Sequence, residues 1–387
     1  MKVLKFGGSS LADLNLIKEV SKNIKQKLKA DKKLIVVASA MGKTTNELIE
    51  KMQNSSTKIN ARELDQLLST GEIQSISLLA NTLCDLGVKA KSLAGWQAGI
   101  ITNENHTDAE IKKIEKVKIE KELKENDVLL IAGFQGICNG EVTTLGRGGS
   151  DTTAVALASQ LKCPCEIYTD VDGVYSVDPR IKKNATKFDE LSYDQMITMS
   201  KAGAKVLESR CSELAKKNNV DLYIGKSLEQ AKGGTKIVPN VKLHSSKGIL
   251  SIAVRSNLGI IKILAHNEKE LQEINENLSN LKCEKFSEVK YNKGAVVSAY
   301  FDKSQIKEIE KNFRNNLKQI KLNFSKISLI GCETFNEKKE ALRHLKSLKN
   351  QDMALKTLSE GVNYISFAVP EKKSFDIVKG LSDEFEI

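Results

Sequence analysis

The chain has 387 residues, 40% of them hydrophobic and 28% charged, with a formal net charge of +11. That length exceeds one typical domain, and the composition is that of a folded globular protein without an apolar run long enough to span a membrane. Basic and acidic residues are mixed in both halves, with no basic stripe and no interleaved aromatics, which argues against nucleic-acid binding. Seven cysteines, at 84, 138, 163, 165, 211, 283 and 332, form no C-x-x-C pair and lie apart from the histidines. Neither a disulfide framework nor a zinc site is expected, and with no signal-peptide core at the start a cytoplasmic protein with reduced thiols is.

The first predicted element is a short apolar strand, Val3–Phe6, that carries Lys5 to Gly7 and Gly8. Leu14, Ile17, Val20, Ile24 and Leu28 follow at helical spacing. A strand-end lysine before two glycines suits an anion, because the ammonium reaches a phosphoryl group while glycine lets backbone approach closely. The alternative is a solvated strand-end lysine. A second apolar run, Leu34–Ala38, precedes Gly42-Lys43-Thr44, which tempts a P-loop reading. That reading fails because position 37, where the motif needs its first glycine, is Val37.

A helix is predicted from Thr44, with Glu47 three residues on in a capping-box pattern. A long helical pattern then runs from about Arg62 to Leu86 and carries Glu72 on a face that reads as buried. A buried acid without a partner is costly, so a cationic ligand or a structural salt bridge must accompany it. After another apolar run, Val128–Ala132, comes the most informative stretch, Leu145-Gly146-Arg147-Gly148-Gly149-Ser150-Asp151-Thr152-Thr153-Ala154. Three glycines around an arginine at a helix start offer free N–H groups, a positive dipole end and a planar fork for carboxylate or phosphate oxygens. The plain alternative is a glycine turn capped by Ser150 or Asp151. Cys163-Pro164-Cys165 reads as a turn before the strand Glu166–Thr169, and Leu222–Ile224 closes a set of runs apolar on both faces. Such runs between helices predict a buried parallel sheet covered by helices, an α/β fold.

Beyond about residue 240 the glycine loops stop and Lys, Asn and Glu increase. The pattern predicts strand 260–265, helix 268–281, strands 285–291 and 295–301 and helix 304–317. It then predicts strand 327–331, helix 338–348, strands 354–359 and 365–369 and helix 372–381.

Several motifs in this order resemble the aspartokinases of the amino acid kinase family: K-F-G-G-S-S (5–10), S-A-M-G-K-T-T (39–45), L-L-S-T-G-E (67–72), G-W-Q-A-G-I (95–100), G-F-Q-G (133–136), the arginine loop from Thr143, and T-D-V-D-G-V-Y-S-V-D-P-R (169–180). The resemblance covers residues 1 to about 235. It implies an amino acid kinase fold over 1–240, a mostly parallel sheet sandwiched by helices. Two small α+β ACT-like (ferredoxin-like) units over 250–322 and 323–387 would follow, in series or interleaved. It also implies transfer of the γ-phosphoryl group of ATP to the side-chain carboxylate of L-aspartate, the first step toward lysine, diaminopimelate, threonine and methionine. Mg²⁺ would be carried by ATP rather than by a protein site, with a homo-oligomer held through the tail. The alternatives are a catalytically weak regulatory subunit and a related kinase of glutamate or acetylglutamate.

Carried over motif by motif, the resemblance makes Lys5 and Asp151 catalytic, Asp151 holding the lysine. It gives aspartate to Thr45, Glu72, Phe134, Arg147, Gly148, Gly149 and Ser150. ATP falls to Lys5, Phe6, Gly7, Gly8, Thr169, Asp170, Tyr175, Asp178, Arg180 and Lys205, while Asp172 makes a turn. Two departures stand out. The family usually continues His-Pro after Lys205-Val206-Leu207, where this chain has Glu208-Ser209. An effector-binding ACT unit usually has an Asp-x-Pro-Gly-type turn after its first strand, whereas here Ala265-His266-Asn267-Glu268 and Gly331-Cys332-Glu333-Thr334-Phe335 contain no proline. Either feedback is lost or the loop uses other residues; weak or absent inhibition by lysine or threonine is expected.

Overall fold

A computed structural model describes the chain except residues 205, 228–232, 242–247, 292–293, 332–355 and 362, and the side chains of 356–361. In chain order to residue 241 the described elements are β1 (Lys2–Phe6), α1 (Leu14–Lys27), β2 (Leu34–Ala38), α2 (Thr44–Ser55), α3 (Ala61–Asp85), β3 (Ala90–Leu93), β4 (Ile100–Thr102), β5 (Ile111–Ile114), α4 (Lys116–Glu125), β6 (Val128–Ala132), β7 (Gln135–Cys138), β8 (Glu141–Thr144), α5 (Gly149–Leu161), β9 (Cys165–Thr169), β10 (Glu190–Ser192), α6 (Tyr193–Ala202), α7 (Ser209–Asn218), β11 (Leu222–Lys226) and β12 (Thr235–Val238). Two compact units emerge. The first comprises Met1–Val174, Lys187–Ile197 and Lys205–Val241, and the second Tyr175–Thr186, Thr198–Ala204 and Lys242–Ile387. Among the described residues no helix is long and apolar enough to cross a membrane.

The first unit is built on an eight-stranded sheet of order β10-β12-β11-β9-β1-β2-β6-β3, parallel except where β11 meets β12. All five residues of β2 and of β6 are buried, as strands covered on both faces require. Ile17, Val20 and Ile24 of α1 and Ile76, Leu79 and Leu83 of α3 pack on one face in a core with Leu4, Phe6, Val36 and Leu130. Leu14, counted with the apolar stripe, is 58% exposed because it opens α1, where Asp13 accepts hydrogen bonds from the amides of Asn15 and Leu16. The capping box at Thr44 does not form: Lys43 is the cap residue, no side chain caps α2, and Thr44 is its first residue. A smaller sheet, β5-β4-β7-β8, was not foreseen because its strands are three or four residues long.

The second unit contains β13 (Ile249–Ala265), α8 (Glu268–Asn280), β14 (Glu284–Tyr291), β15 (Gly294–Asp302), α9 (Ile306–Asn312), β16 (Leu317–Gly331), β17 (Lys356–Gly361), β18 (Tyr364–Pro370) and α10 (Ser374–Glu384). Its sheet has the order β14-β15-β13-β16-β18-β17 and is antiparallel throughout. The expected strands 260–265 and 327–331 are parts of two long strands that pair from Ile249↔Gly331 to Ile263↔Leu317. This seam joins two β-α-β-type halves. One has a core of Ile261, Ile263, Val297 and Phe301 with Ile274, Leu278 and Ile309, and the other of Ile252, Ile327, Leu329 and Phe367 with Val378 and Leu381. The expected helix 304–317 is shorter, because a 3-10 turn at Lys303–Gln305 precedes α9 and Leu317 already begins β16. The expected helix 338–348, and the turn after Gly331, lie outside the described residues. The proline-free turn before α8 is a helix cap, where Asn267 accepts from the Glu270 amide at 2.9 Å.

Two sequence motifs of the first unit meet where Gly95 abuts β7. A Cβ on Gly95 would lie 2.3 Å from the Gln135 carbonyl oxygen, while the fully buried Gln135 side chain donates to Ser69 O at 2.9 Å. Gly95→Ala is therefore expected to destabilise the protein by about 1–3 kcal/mol through overpacking. Chemical denaturation reads this as a lowered midpoint, and an unchanged midpoint would refute the contact.

Candidate active site

The carboxyl ends of four adjacent strands are stitched together by backbone hydrogen bonds. Gly7 N donates to Tyr168 O at the end of β9, Ser39 N to Phe6 O, and Gly133 N to Ala38 O; one layer out, Gly42 N donates to Gly8 O. β1 is flanked by β2, which follows it in the chain, on one side and by β9, reached only after α5, on the other, the switch-point arrangement at which open α/β sheets leave a crevice. Gly8 is required by close approach, since a Cβ there would lie 2.6 Å from Ala40 O. The glycines do not run directly into α1: a 3-10 turn at Gly8–Leu11 intervenes.

Lys5 sits in the central strand, paired on both sides, and is only 7% exposed, which excludes the solvated alternative. Its ammonium lies 2.6 Å from Asp151 Oδ1. A charge so buried needs a partner of opposite sign, and α5 supplies it in its first turn. The expected cap by Ser150 or Asp151 is absent: the cap residue is Gly148 in the left-handed conformation (φ 69°), and no side chain caps the helix. Asp151 is engaged by Lys5 instead. Burial first, and the Asp151 charge second, push the thiols of Cys165 and Cys211 upward, so they stay neutral.

The arginine loop docks on the loop after β6. Phe134, itself at φ 68°, donates its amide N–H to Thr153 Oγ1 at 3.1 Å, and its carbonyl accepts from Leu145 N. A Cβ on Gly149 would lie 2.7 Å from the Phe134 ring, and one on Gly133 2.7 Å from Ser150 Cβ. Ser150 is buried, whereas Arg147 is exposed and makes no ion pair among the described residues. Glu208, which departs from the family pattern, lies over this loop: its Cγ would be 2.3 Å from a Cβ on Gly148.

Glu72 is 3% exposed on α3. Its Oε1 accepts from the Ala40 amide at 3.0 Å, and its Oε2 is buried without a hydrogen-bond partner. No salt bridge meets it among the described residues. Burial pushes its pKa up to about 8, only partly offset by the Ala40 hydrogen bond. Gly71 lets Ala40 approach, a Cβ there lying 2.9 Å from Ala40 Cβ and 3.6 Å from Thr44 Cγ2, which brings the start of α2 and half-buried Thr45 alongside.

The remaining candidates are less gathered. The Phe6 side chain is fully buried and stacks on Tyr168 at 5.1 Å, so only its backbone is left for a ligand. Thr169 Oγ1 donates to Asp170 Oδ1 at 2.9 Å in the first unit. Half-buried Tyr175 falls in the second unit, as do Asp178 and Arg180, which pair with each other, Nε to Oδ1 at 3.0 Å. Lys205 lies outside the described residues. Asp172, beside Gly173, is paired with Lys187 at 3.4 Å. Among the described residues no group of three or more His, Cys, Asp or Glu is placed to hold a metal ion.

Residues 1–226 match the amino acid kinase family. An aspartokinase of Geobacillus stearothermophilus is 44% identical over 70% of this chain, spanning about two thirds (67%) of its own length. Aspartokinase 2 of Bacillus subtilis is 33% identical over 100% of this chain and 97% of its own length. The chain belongs to the amino acid kinase family, among its aspartokinases. Across that family the fold extends to E. coli aspartokinase III in complex with aspartate and ADP, with a TM-score of 0.82 at 21% identity over 100% of both chains.

In this aspartokinase-family chain, sequence motifs missed the residues behind the arginine loop. These are Asp65, His106 and the Asp108–Arg210 pair, at 2.8 Å, while Thr144 lay within the arginine-loop motif without a role. The available signal was the seven-residue spacing of Asp65 and Glu72, which puts both on one face of a helix.

The elevated pKa of Glu72 has a testable sign. A carboxyl that titrates near 8 when folded and near 4.5 when unfolded costs stability as pH rises between those values, about 1.4 kcal/mol per pH unit. Without ligand, Glu72→Gln is therefore expected to melt close to wild type at pH 5 and well above it at pH 8.5. Thermal denaturation at the two pH values checks this; an equal difference at both would contradict it.

Proposed function

We propose that this protein transfers the γ-phosphoryl group of ATP to the side-chain carboxylate of L-aspartate, giving 4-phospho-L-aspartate. The observation that carries the amino-acid part of this reading is the buried Glu72 carboxyl with its unpartnered Oε2. It needs a cation, and an α-ammonium group supplies one. Arg147, exposed and without an ion pair among the described residues, takes the α-carboxylate with Ser150 beside it, while Thr45 and Phe134 line the pocket. The acceptor carboxylate is already ionised at neutral pH, so no general base is required.

The rate then comes from positioning and charge neutralisation. Lys5 faces the phosphoryl group with the Gly8 amide, the Gly7 amide expected beside it being held by Tyr168 O instead. The N-terminus of α5, where Gly148 is the cap residue, adds partial positive charge. Asp151 keeps the ammonium pointed toward the crevice. Mg²⁺ arrives with the nucleotide and neutralises phosphate charge. Thr169, Asp170, Tyr175, Asp178, Arg180 and Lys205 are assigned to ATP, with Arg180 released from Asp178 when phosphate is present.

Residues 1–240 form the catalytic part of this reading, with the ACT-like units at 250–322 and 323–387 joining copies of the chain in the cytoplasm. Support for assembly comes from β14, an edge strand that exposes Val289 (60%) and Tyr291 (49%). E. coli aspartokinase III has been crystallised with lysine and aspartate; here the proline-free turn before α8 favours weak or absent lysine inhibition.

The test is a hydroxylamine trap with ATP and either L-aspartate or L-glutamate. Aspartyl hydroxamate is expected, with little product from glutamate, and Lys5→Ala should lower kcat by about a hundredfold or more. Preference for glutamate, or near-normal turnover in Lys5→Ala, would overturn the assignment.

A further inference from the structure

We propose that Asp65 is a positioning residue which, through Thr144 and the Asn103–Glu110 turn, sets the arginine loop at a fixed distance from Glu72. This rests on the aspartate-kinase reading and deepens it: one helix would carry the group for the substrate ammonium and also the mount for the group that takes its α-carboxylate.

Asp65 is completely buried. A carboxylate there is tolerable only if its oxygens are saturated with donors, and they are. Oδ1 accepts from the Thr144 hydroxyl and from Thr107 N at 3.1 Å, and Oδ2 accepts from Thr107 N at 3.1 Å and His106 Nδ1 at 2.7 Å. Because the carboxylate accepts, Nδ1 of His106 carries the proton. The same orientation excludes a nucleophile–base arrangement, since the Thr144 hydroxyl points at Asp65 and not at the imidazole.

Every group tied to Asp65 leads to the arginine loop. Thr144 is the last residue of β8, two positions before Gly146, and its carbonyl accepts from Ala109 N at 2.8 Å. Gly146 is left-handed (φ 72°), and a Cβ there would lie 2.7 Å from Asp108 Oδ1 and 3.1 Å from Thr107 O. Asp108 is in turn fixed by Arg210 of α7. Arg147 thus leaves a backbone clamped from behind while its own side chain stays exposed, with no ion pair among the described residues. Asp65 and Glu72 lie two helical turns apart on α3, so the rigid helix fixes the span between the two ends of an amino-acid ligand.

The test compares Asp65→Asn and Thr144→Val in the wild-type and Arg147→Ala backgrounds. In the wild-type background each is expected to raise KM for aspartate about tenfold while KM for ATP moves less than about twofold; in the Arg147→Ala background the aspartate effect should vanish, as for residues acting through one group. Thr144→Ser should restore wild-type KM. An aspartate effect that persists without Arg147, or an equal rise in KM for ATP, would overturn the proposal. Should Asp65→Asn not fold, His106→Gln, at a side chain 25% exposed, serves in its place. Amide hydrogen exchange at 145–149 in the ligand-free protein separates this idea from the choice of substrate. Faster exchange in Thr144→Val supports the mount whatever the substrate, and unchanged exchange refutes it.

Discussion

The Lys5–Asp151 ion pair is the constraint around which the site is organised. A lysine in a central, fully paired strand cannot reach bulk water, so its charge must be met within about 4 Å by an anion. Asp151 supplies that anion from α5, which fixes where the helix begins and where its free amides point. The glycine loops follow from the same demand for closeness. Gly8 admits Ala40, Gly149 admits Phe134, and Gly133 admits Ser150. Each contact removes a side chain from the space beside the two glycine loops.

Glu72 answers the complementary problem. Its carboxyl is buried, receives one backbone hydrogen bond and keeps a vacant oxygen. In the ligand-free protein this is an unfavourable arrangement for the charged form. On the proposed reading a substrate ammonium relieves it, and stability withheld at one residue becomes binding energy for a zwitterionic substrate.

Much of this was legible in the sequence because the relevant signals are local. Strands β2 and β6 read as continuous apolar runs with the bounds they have, and α3 was placed within one residue at each end. Lys5, Glu72 and the arginine loop were found from spacing and motif. What escaped depends on distant contacts. The capping box foreseen at Thr44 did not form because α2 begins one residue early, with Lys43 as its cap, and the cap foreseen at Ser150 or Asp151 gave way to Gly148 while Lys5 engaged Asp151. The three- and four-residue strands of the small sheet carry too little periodicity to see. Asp65 carries no motif of its own, and its partner His106 comes from a turn 41 residues away. In the tail, β13 and β16 run longer than their apolar patterns because polar residues such as Ser251, Ser325 and Ser328 are buried within them.

The most direct measurement is the steady-state kinetics of Asp151→Asn with L-aspartate and ATP. If Asp151 holds the Lys5 ammonium where phosphoryl charge develops, kcat falls by about tenfold to a hundredfold while ATP still binds, because the lysine remains but is no longer aimed. A variant that turns over within about twofold of wild type would show that Lys5 is placed without Asp151, and the pair would then be a packing feature of the sheet rather than the centre of the site.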